Sequence, residues 1–425
     1  MNIDEVIQKY ITKGRRTRML LLTSLEWMLV AGGVMITSLT LPSIVEDLAG
    51  TTGSQNMMAS SVFVGMLLGA LFSGMISDRF GRKWTNLILL LIAGLSTGFT
   101  GASVSMRTFS VGRFVAGIGY GGLLPVVNAY LTEFSSIRIR GLYLALLESS
   151  WAVGSIITGG FTMLTLNSLG WRWSFYFLAL FSVPLLLISF FLPESPKYQF
   201  MKKGKVALEK ILGKEIDEEI EMHKQSKQPI LGLFKGDLAR RTIMIWISWF
   251  SVSFVYYGIY TWAPKIFMSK GLTPVSSLWY TFFMLIMQLP GYLTAVILIE
   301  RIGRKPSLTF FFGGMAVSSI VMALVNSSAL LLVASVLISL FVLGAWGMVY
   351  AYTPELYPTE MRALGNGASG VMARAAGIVA PFFTNLVMGG TGSVFVVMIF
   401  MAALSLFAAI IVSKMGVETK QAIIE

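Results

Sequence analysis

The chain has 425 residues, 55% hydrophobic and only 13% charged, a balance foreign to a soluble enzyme of this size. Mean hydropathy is +0.74. With no cysteine and a single histidine, His223 in a polar stretch, disulfides and thiol chemistry are excluded and a His-based metal or catalytic centre is disfavoured.

The N-terminal 18 residues are polar and hold Lys9, Lys13, Arg15, Arg16 and Arg18. Apolar windows of about 20 residues, the length that crosses a bilayer as a helix, then follow at 19–42, 57–77, 84–104, 110–134, 141–163 and 172–193. The first is long enough to stay as a spanning helix, so no cleaved signal peptide is expected. A polar stretch, 194–241, comes next. Its Val206, Leu208, Ile211, Leu212, Ile216 and Ile220 recur at helical spacing among Lys and Glu, predicting short amphipathic helices within a linker. Six further spans fall at 242–263, 276–298, 306–326, 329–353, 363–388 and 392–413. The fold class is therefore an all-α membrane protein of twelve spans. Residues 1–193 form one six-helix bundle, 194–241 a connector and 242–425 a second bundle.

The halves repeat. Asp78-Arg79-Phe80-Gly81-Arg82-Lys83 returns 222 positions later as Glu300-Arg301-Ile302-Gly303-Arg304-Lys305. Glu133 and Arg140 return as Glu355 and Arg362 at the same offset, as do Gly69, Gly122, Tyr130 and Pro42 as Gly291, Gly344, Tyr352 and Pro264. Two register-matched apolar halves are how secondary transporters build a site that opens to either side.

Net charge is +12, yet the cations are sorted in a way that nucleic-acid binding does not require. Of 33 Lys and Arg, 27 fall in segments on one side of the spans, against Arg107, Arg172, Lys265 and Lys270 in the opposite loops. That bias predicts both termini and the connector in the cytoplasm, the chain lying in a plasma or inner membrane. No nucleic-acid partner, cofactor or metal is expected.

The doubled cassette resembles the loop motif of the major facilitator superfamily. Gly74-Met75-Ile76-Ser77-Asp78-Arg79-Phe80-Gly81-Arg82-Lys83 fits its G-x-x-x-D-R-x-G-R-K pattern, and Arg113-x-x-x-Gly117-x-Gly119 its span 4 motif. Gly170-Trp171-Arg172-Trp173 and Pro193-Glu194-Ser195-Pro196-Lys197 are shared by sugar porters and by the niacin and organic-ion transporters. Leu147-Glu148-Ser149-Ser150-Trp151, Tyr257-Gly258-Ile259-Tyr260-Thr261-Trp262-Ala263-Pro264 and Arg374-Ala375-Ala376-Gly377 are similar to the second group. The resemblance implies alternating-access transport by a twelve-helix carrier. Where niacin transporters carry acidic residues in span 1, this chain has Val30-Ala31-Gly32-Gly33.

Charged residues at the basic span ends read as gate and scaffold: Asp78, Arg79, Arg82, Lys83, Glu133 and Arg140, repeated as Glu300, Arg301, Arg304, Lys305, Glu355 and Arg362. They are expected to pair across the two bundles, each Glu with an Arg of the adjacent loop. Deeper charges are the functional candidates, because an ion inside the membrane is costly without a role. Arg374 lies twelve residues past Arg362, roughly 18 Å along its helix. The matching position in the organic-ion group tends to be cationic in anion carriers, so the resemblance implies an anionic substrate. Its alternative is a salt bridge to an intramembrane Glu. Glu148 and Glu26 are proton-coupling candidates, with an interhelical hydrogen bond as the alternative for Glu148 and snorkelling to the interface for Glu26. Arg113 reads as interfacial or structural. Tyr256, Tyr257, Trp346 and Tyr350 are placed in the cavity as ring and hydroxyl contacts, with Gln288 and Asn128 as polar contacts or interhelical glue. The leading function is proton-coupled transport of a small organic anion, an aromatic monocarboxylate among them. The alternatives are a sugar or polyol proton symporter and an organic cation or drug transporter. A sensor or channel needs no symmetric pair of gates, and no Walker motif supports ATP-driven transport. A monomer in the lipid bilayer, with substrate and protons as its ligands, is expected.

Overall fold

The computed structural model describes residues 3–135, 137–216, 219–220, 229–358, 360–391 and 393–420. His223 and the side chain of Arg138 lie outside the described residues. Among the described residues, twelve helices are long and apolar enough to cross a membrane. In chain order they are α2 (Lys13–Asp47), α3 (Thr52–Phe80), α4 (Arg82–Gly101), α5 (Met106–Phe134), α6 (Ile137–Leu169) and α7 (Arg172–Phe190), then α9 (Gly236–Tyr260), α11 (Pro274–Arg301), α12 (Arg304–Leu324), α13 (Ser328–Tyr352), α14 (Arg362–Thr391) and α15 (Val394–Met415). They coincide with the twelve predicted spans. Span 7 ends at Tyr260, short of its predicted 263, because Pro264 opens a separate helix, α10 (Ala263–Ser269).

Two more helices lie outside the spans. α1 (Ile3–Tyr10) is an addition to the sequence reading. Its Ile3, Val6 and Ile7 share one face at i, i+3 and i+4 and are all buried. In the connector, α8 (Pro196–Leu212) starts under a Ser195 cap that accepts from Tyr198 N at 3.2 Å. Gly204, at φ +75°, kinks it and Gly213, at φ +71°, ends it. Leu208, Leu212 and Ile216 are buried as their spacing predicts, whereas Val206 is 77% exposed.

The helices pack as two units. Unit 1 comprises Met1–Ile36, Ser61–Phe161 and Thr165–Gln225; unit 2 comprises Thr37–Ser60, Thr162–Leu164 and Ser226–Glu425. In unit 1, α4 packs on α5 and α7. In unit 2 the equivalent helix, α12, packs on the equivalents α13 and α15, so the repeat extends from sequence to packing. Close approach rests on small residues. A Cβ on Gly65 would lie 2.0 Å from the Phe114 carbonyl oxygen, and one on Gly117 2.1 Å from that of Val62, so α3 and α5 touch backbone to backbone.

Candidate functional site

The doubled cassette builds the same bracket in each unit. In unit 1, Arg82 opens α4 and its guanidinium meets Glu133 at 3.1 Å and Asp78 at 2.9 Å. Glu133 also accepts from the Ser195 hydroxyl. Glu194 Oε1 takes the backbone N–H groups of Arg82 (2.8 Å), Lys83 (3.1 Å) and Ser195 (2.8 Å), capping a helix whose own N-cap, Gly81, has no side chain. Tyr130 donates to the Pro193 carbonyl. In unit 2, Arg304 forks onto Glu355 through Nε and Nη2, both at 2.9 Å, with Glu300 at 3.8 Å. Glu355 accepts from Thr419, Glu418 takes the N–H groups of Arg304 (2.9 Å) and Lys305 (3.1 Å), and Tyr352 donates to the Val417 carbonyl.

Glu194-Ser195, quoted above only as part of a shared motif, and Glu418-Thr419 are bracket residues whose part in it the sequence reading did not assign. Their signal was present at an offset of 224, two more than the rest of the repeat. Gly81 and Gly303 carry φ +97° and +93°, and a Cβ on Gly81 would lie 2.1 Å from Glu194 Oε2. Glycine is thus required twice over in the cassette, by conformation and by the carboxylate seated on it. Each Arg–Glu pair closes inside its own unit rather than bridging the halves, with the cassette Arg as the partner.

The remaining gate candidates make other contacts. Arg140 pairs not with Glu133 but with Asp4 of α1 at 3.0 Å, and Lys197 meets the same carboxylate at 2.8 Å. Burial pushes the Asp4 carboxyl up, but Lys197 and Arg140 outweigh it and hold the group below its ordinary range. Burial likewise raises Glu418, and the backbone N–H groups of Arg304, Lys420 and Lys305 win over it. Arg79 lies over the Phe80 ring and Lys83 over Trp84 and Phe190. The Arg301 carbonyl accepts from Lys420 at 3.0 Å, and a half-buried Arg362 opens α14.

Unit 2 also holds a continuous aromatic cluster. Tyr256 of α9 lies 5.1 Å from Tyr257, 4.5 Å from Tyr260 and 5.2 Å from Trp346 of α13, ring centre to ring centre. Trp249 extends it to Trp346 at 6.0 Å and to Tyr350 at 4.6 Å, and its indole donates to Thr353 at 2.9 Å. Gln288 of α11 is fully buried and donates to the Tyr256 hydroxyl at 3.4 Å, while its Oε1 has no donor among the described residues. The structure therefore brings together Tyr256, Tyr257, Trp346, Tyr350 and Gln288. Asn128 belongs to the other unit, half-buried on α5.

The deep charges separate by environment. Arg374 is half-buried on α14, its Nη1 donating to the Gly370 carbonyl of its own helix at 3.1 Å. It joins no ion pair among the described residues. Glu148 is buried on α6. Glu26 does not snorkel: it is 1% exposed, and its Oε1 accepts from Asn86 Nδ2 of α4 at 2.7 Å and Ser189 Oγ of α7 at 2.8 Å. Counting residues along α2 gives depth, not which face looks inward. Arg113, read as interfacial or structural, is sealed inside its unit. It is fully buried, 6.0 Å from the Phe175 ring centre, and no guanidinium nitrogen has a hydrogen-bond partner among the described residues.

Twelve spans in two repeated halves, each with a charged bracket at its basic end, define a secondary transporter of the major facilitator superfamily rather than an enzyme. The profile of the sugar (and other) transporter family matches residues 22–425, and the chain belongs to that family. It is 34% identical to the niacin transporter of Acinetobacter baylyi, across 95% of this chain and 94% of that one. It is 33% identical to a putative niacin/nicotinamide transporter of Bacillus subtilis, across 96% and 98%. Among solved structures, the xylose transporter of E. coli in a partially occluded inward-open conformation superposes with a TM-score of 0.74, at 17% identity over 95% of this chain and 98% of that one. The chain is a multi-pass membrane protein that moves small molecules.

Proposed function

We propose that the protein carries a small organic anion, of the aromatic monocarboxylate class, across a plasma or inner membrane by alternating access, coupled to protons and acting as a monomer. The observation that carries this reading is Arg374, an intramembrane guanidinium joined to no carboxylate among the described residues. A planar, permanently charged fork suits a carboxylate, and an ion kept at that depth calls for a counter-charge. The ring cluster of Tyr256, Tyr257, Trp346 and Tyr350 suits an aromatic body. Two relatives named for niacin, an aromatic carboxylate, agree with that class. Glu148 and Glu26 are the proton candidates, and the brackets around Arg82 and Arg304 serve as the gates. The excess of Lys and Arg on one side supports a cytoplasmic side for the termini and connector.

A thermal-shift screen of purified protein against nicotinate, benzoate, xylose and choline tests the substrate class, since a ligand of the folded state raises apparent stability. Nicotinate or benzoate should stabilise. Arg374→Ala should then weaken binding by roughly 30- to 150-fold, from a charge-assisted contact of about 2–3 kcal/mol. Arg374→Lys should keep the charge but lose the fork and bind at an intermediate level. Unchanged affinity in a folded Arg374→Ala protein would make Arg374 structural. The sugar or polyol reading is favoured by one observation, the buried Gln288 Oε1 that a ligand hydroxyl would satisfy. Stabilisation by xylose alone would select it.

A further inference from the structure

Glu26 and Asn86 face each other across α2 and α4, both 1% exposed. One hydrogen bond joins them, Asn86 Nδ2 to Glu26 Oε1 at 2.7 Å, and Ser189 Oγ donates to that same oxygen at 2.8 Å. The other atoms of the pair, Glu26 Oε2 and Asn86 Oδ1, are both buried acceptors, and neither has a hydrogen-bond donor among the described residues. No Lys or Arg forms an ion pair with Glu26 among the described residues.

Two observations fit together here. An ionised carboxylate would spread its charge over both oxygens and invite donors to each; here one oxygen takes two donors and the other none. A charged oxygen buried without a donor is unfavourable, so this split disfavours the anion. It is the pattern of a neutral acid, whose carbonyl oxygen accepts and whose hydroxyl oxygen donates. A carboxamide beside a carboxylic acid completes a ring of two antiparallel hydrogen bonds, N–H to C=O and O–H to O=C. One half of that ring is present. A single proton on Oε2, aimed at Asn86 Oδ1, would supply the other and satisfy both orphan atoms at once.

We propose that Glu26 is a proton-binding site of this transporter, held as a neutral acid in a cyclic pair with Asn86. This rests on the reading of the protein as a proton-coupled carrier and deepens it, putting Glu26 ahead of Glu148. The proton leaves a hydronium ion, whose O–H bond breaks to give water, and forms one O–H bond on Oε2; nothing is oxidised or reduced. Asn86 lies one turn beyond Arg82 on α4, and Ser189 sits at the end of α7 four residues before Pro193, so both donors adjoin the segments that carry the unit 1 bracket. Tyr130 of α5 is near enough to Glu26 for their charges to interact, and Glu133, Glu194 and Arg15 act on the same tyrosine. Loss of the proton would set a charged oxygen against the Asn86 carbonyl and push α2 from α4, directly beneath the bracket.

Infrared spectroscopy of the purified full-length protein at neutral pH tests this. A protonated carboxyl band should be present, vanish in Glu26→Gln and persist in Glu148→Gln. Glu26→Gln should fold, because its amide makes the same two bonds to Asn86 without a proton. In Asn86→Leu the band should move to higher frequency as the acid loses a donor. A wild-type spectrum without the band, a band that survives Glu26→Gln, or one unmoved in Asn86→Leu overturns the assignment. So does a melting temperature raised by sodium over choline and insensitive to sodium in Glu26→Gln, which would put a monovalent cation between the two oxygens. The spectrum reports the proton without transport, so a wild-type protein with no pH-driven uptake would end the proton-coupling reading while leaving this site to be judged separately.

Discussion

Removing Glu194 should cost more than removing its repeat partner Glu418, although the two make the same kind of cap. In Glu194→Ala the N–H groups of Arg82, Lys83 and Ser195 all lose their acceptor, two of them in the first turn of α4. Loss of an N-terminal cap costs about 1 kcal/mol and loss of an anion at the helix dipole up to about 1 more. Glu194 is half-buried, so water replaces it poorly, and the third N–H adds to the loss. The total is about 2–3 kcal/mol, with each 1.4 kcal/mol worth a factor of ten. Hydrogen exchange at the Arg82 and Lys83 amides should accelerate by roughly 30- to 150-fold, and the melting midpoint should fall. Glu418 also takes three N–H groups, of Arg304, Lys305 and Lys420, but it is exposed, so water replaces the lost carboxylate and Glu418→Ala should cost about 1 kcal/mol. Glu194→Gln keeps the acceptor, loses the charge and should fall between. If Glu194→Ala melts and exchanges as wild type, or Glu418→Ala costs as much, the capping argument is wrong.

Gly81→Ala places a methyl 2.1 Å from Glu194 Oε2 at φ +97° and should lower the melting midpoint at least as far as Glu194→Ala; an unchanged midpoint would refute the fit. Arg304→Ala leaves Glu355, 20% exposed, without its fork, and should impair transport while purified protein still binds ligand. Loss of binding in the folded variant would end the gate assignment. Because Asp4 sits below its ordinary range, its hold on α1 is in place above the unfolded Asp value of about 3.9 and is lost as pH falls through the lower folded value. A spin label at Gln8→Cys should stay immobile at neutral pH and loosen only in stronger acid, whereas Asp4→Asn should loosen it at every pH. Mobility independent of both would show that α1 is held by Ile3, Val6 and Ile7 alone. A cysteine at Lys202 should react with an impermeant reagent only from the cytoplasmic side; labelling on intact cells would invert the topology.

The spans were legible because lipid imposes a length and an apolar composition that no tertiary contact overrides. The repeat was legible because charged cassettes stand out against an apolar chain. The partners of those cassettes were harder to read. Glu194-Ser195 and Glu418-Thr419 lie after the last span of each half, where two extra residues break the register. Position along a helix located Glu26 and Arg113 in depth but not in azimuth, and azimuth is what separates a snorkelling carboxylate from one sealed between Asn86 and Ser189. Helix α1 escaped notice because three apolar residues among eight make a stripe too short to register. The aromatic cluster was half legible: composition named the rings, and only packing could select which of them touch.

Trp249 gives this transporter an optical reporter of its own. Its indole ring stacks edge-on with Tyr350 while its N–H is held by Thr353, in the same turn as Glu355, which clasps Arg304. One chromophore therefore samples both the rings proposed to hold the cargo and the backbone turn that carries the clasp. A molecule entering among the rings would alter the polarity and quenching around the indole, and opening of the clasp would release its N–H. The first event should shift the emission wavelength and the second its intensity and near-ultraviolet dichroism; because the chain holds ten tryptophans, the stopped-flow signal that times the two is the difference between wild type and Trp249→Phe.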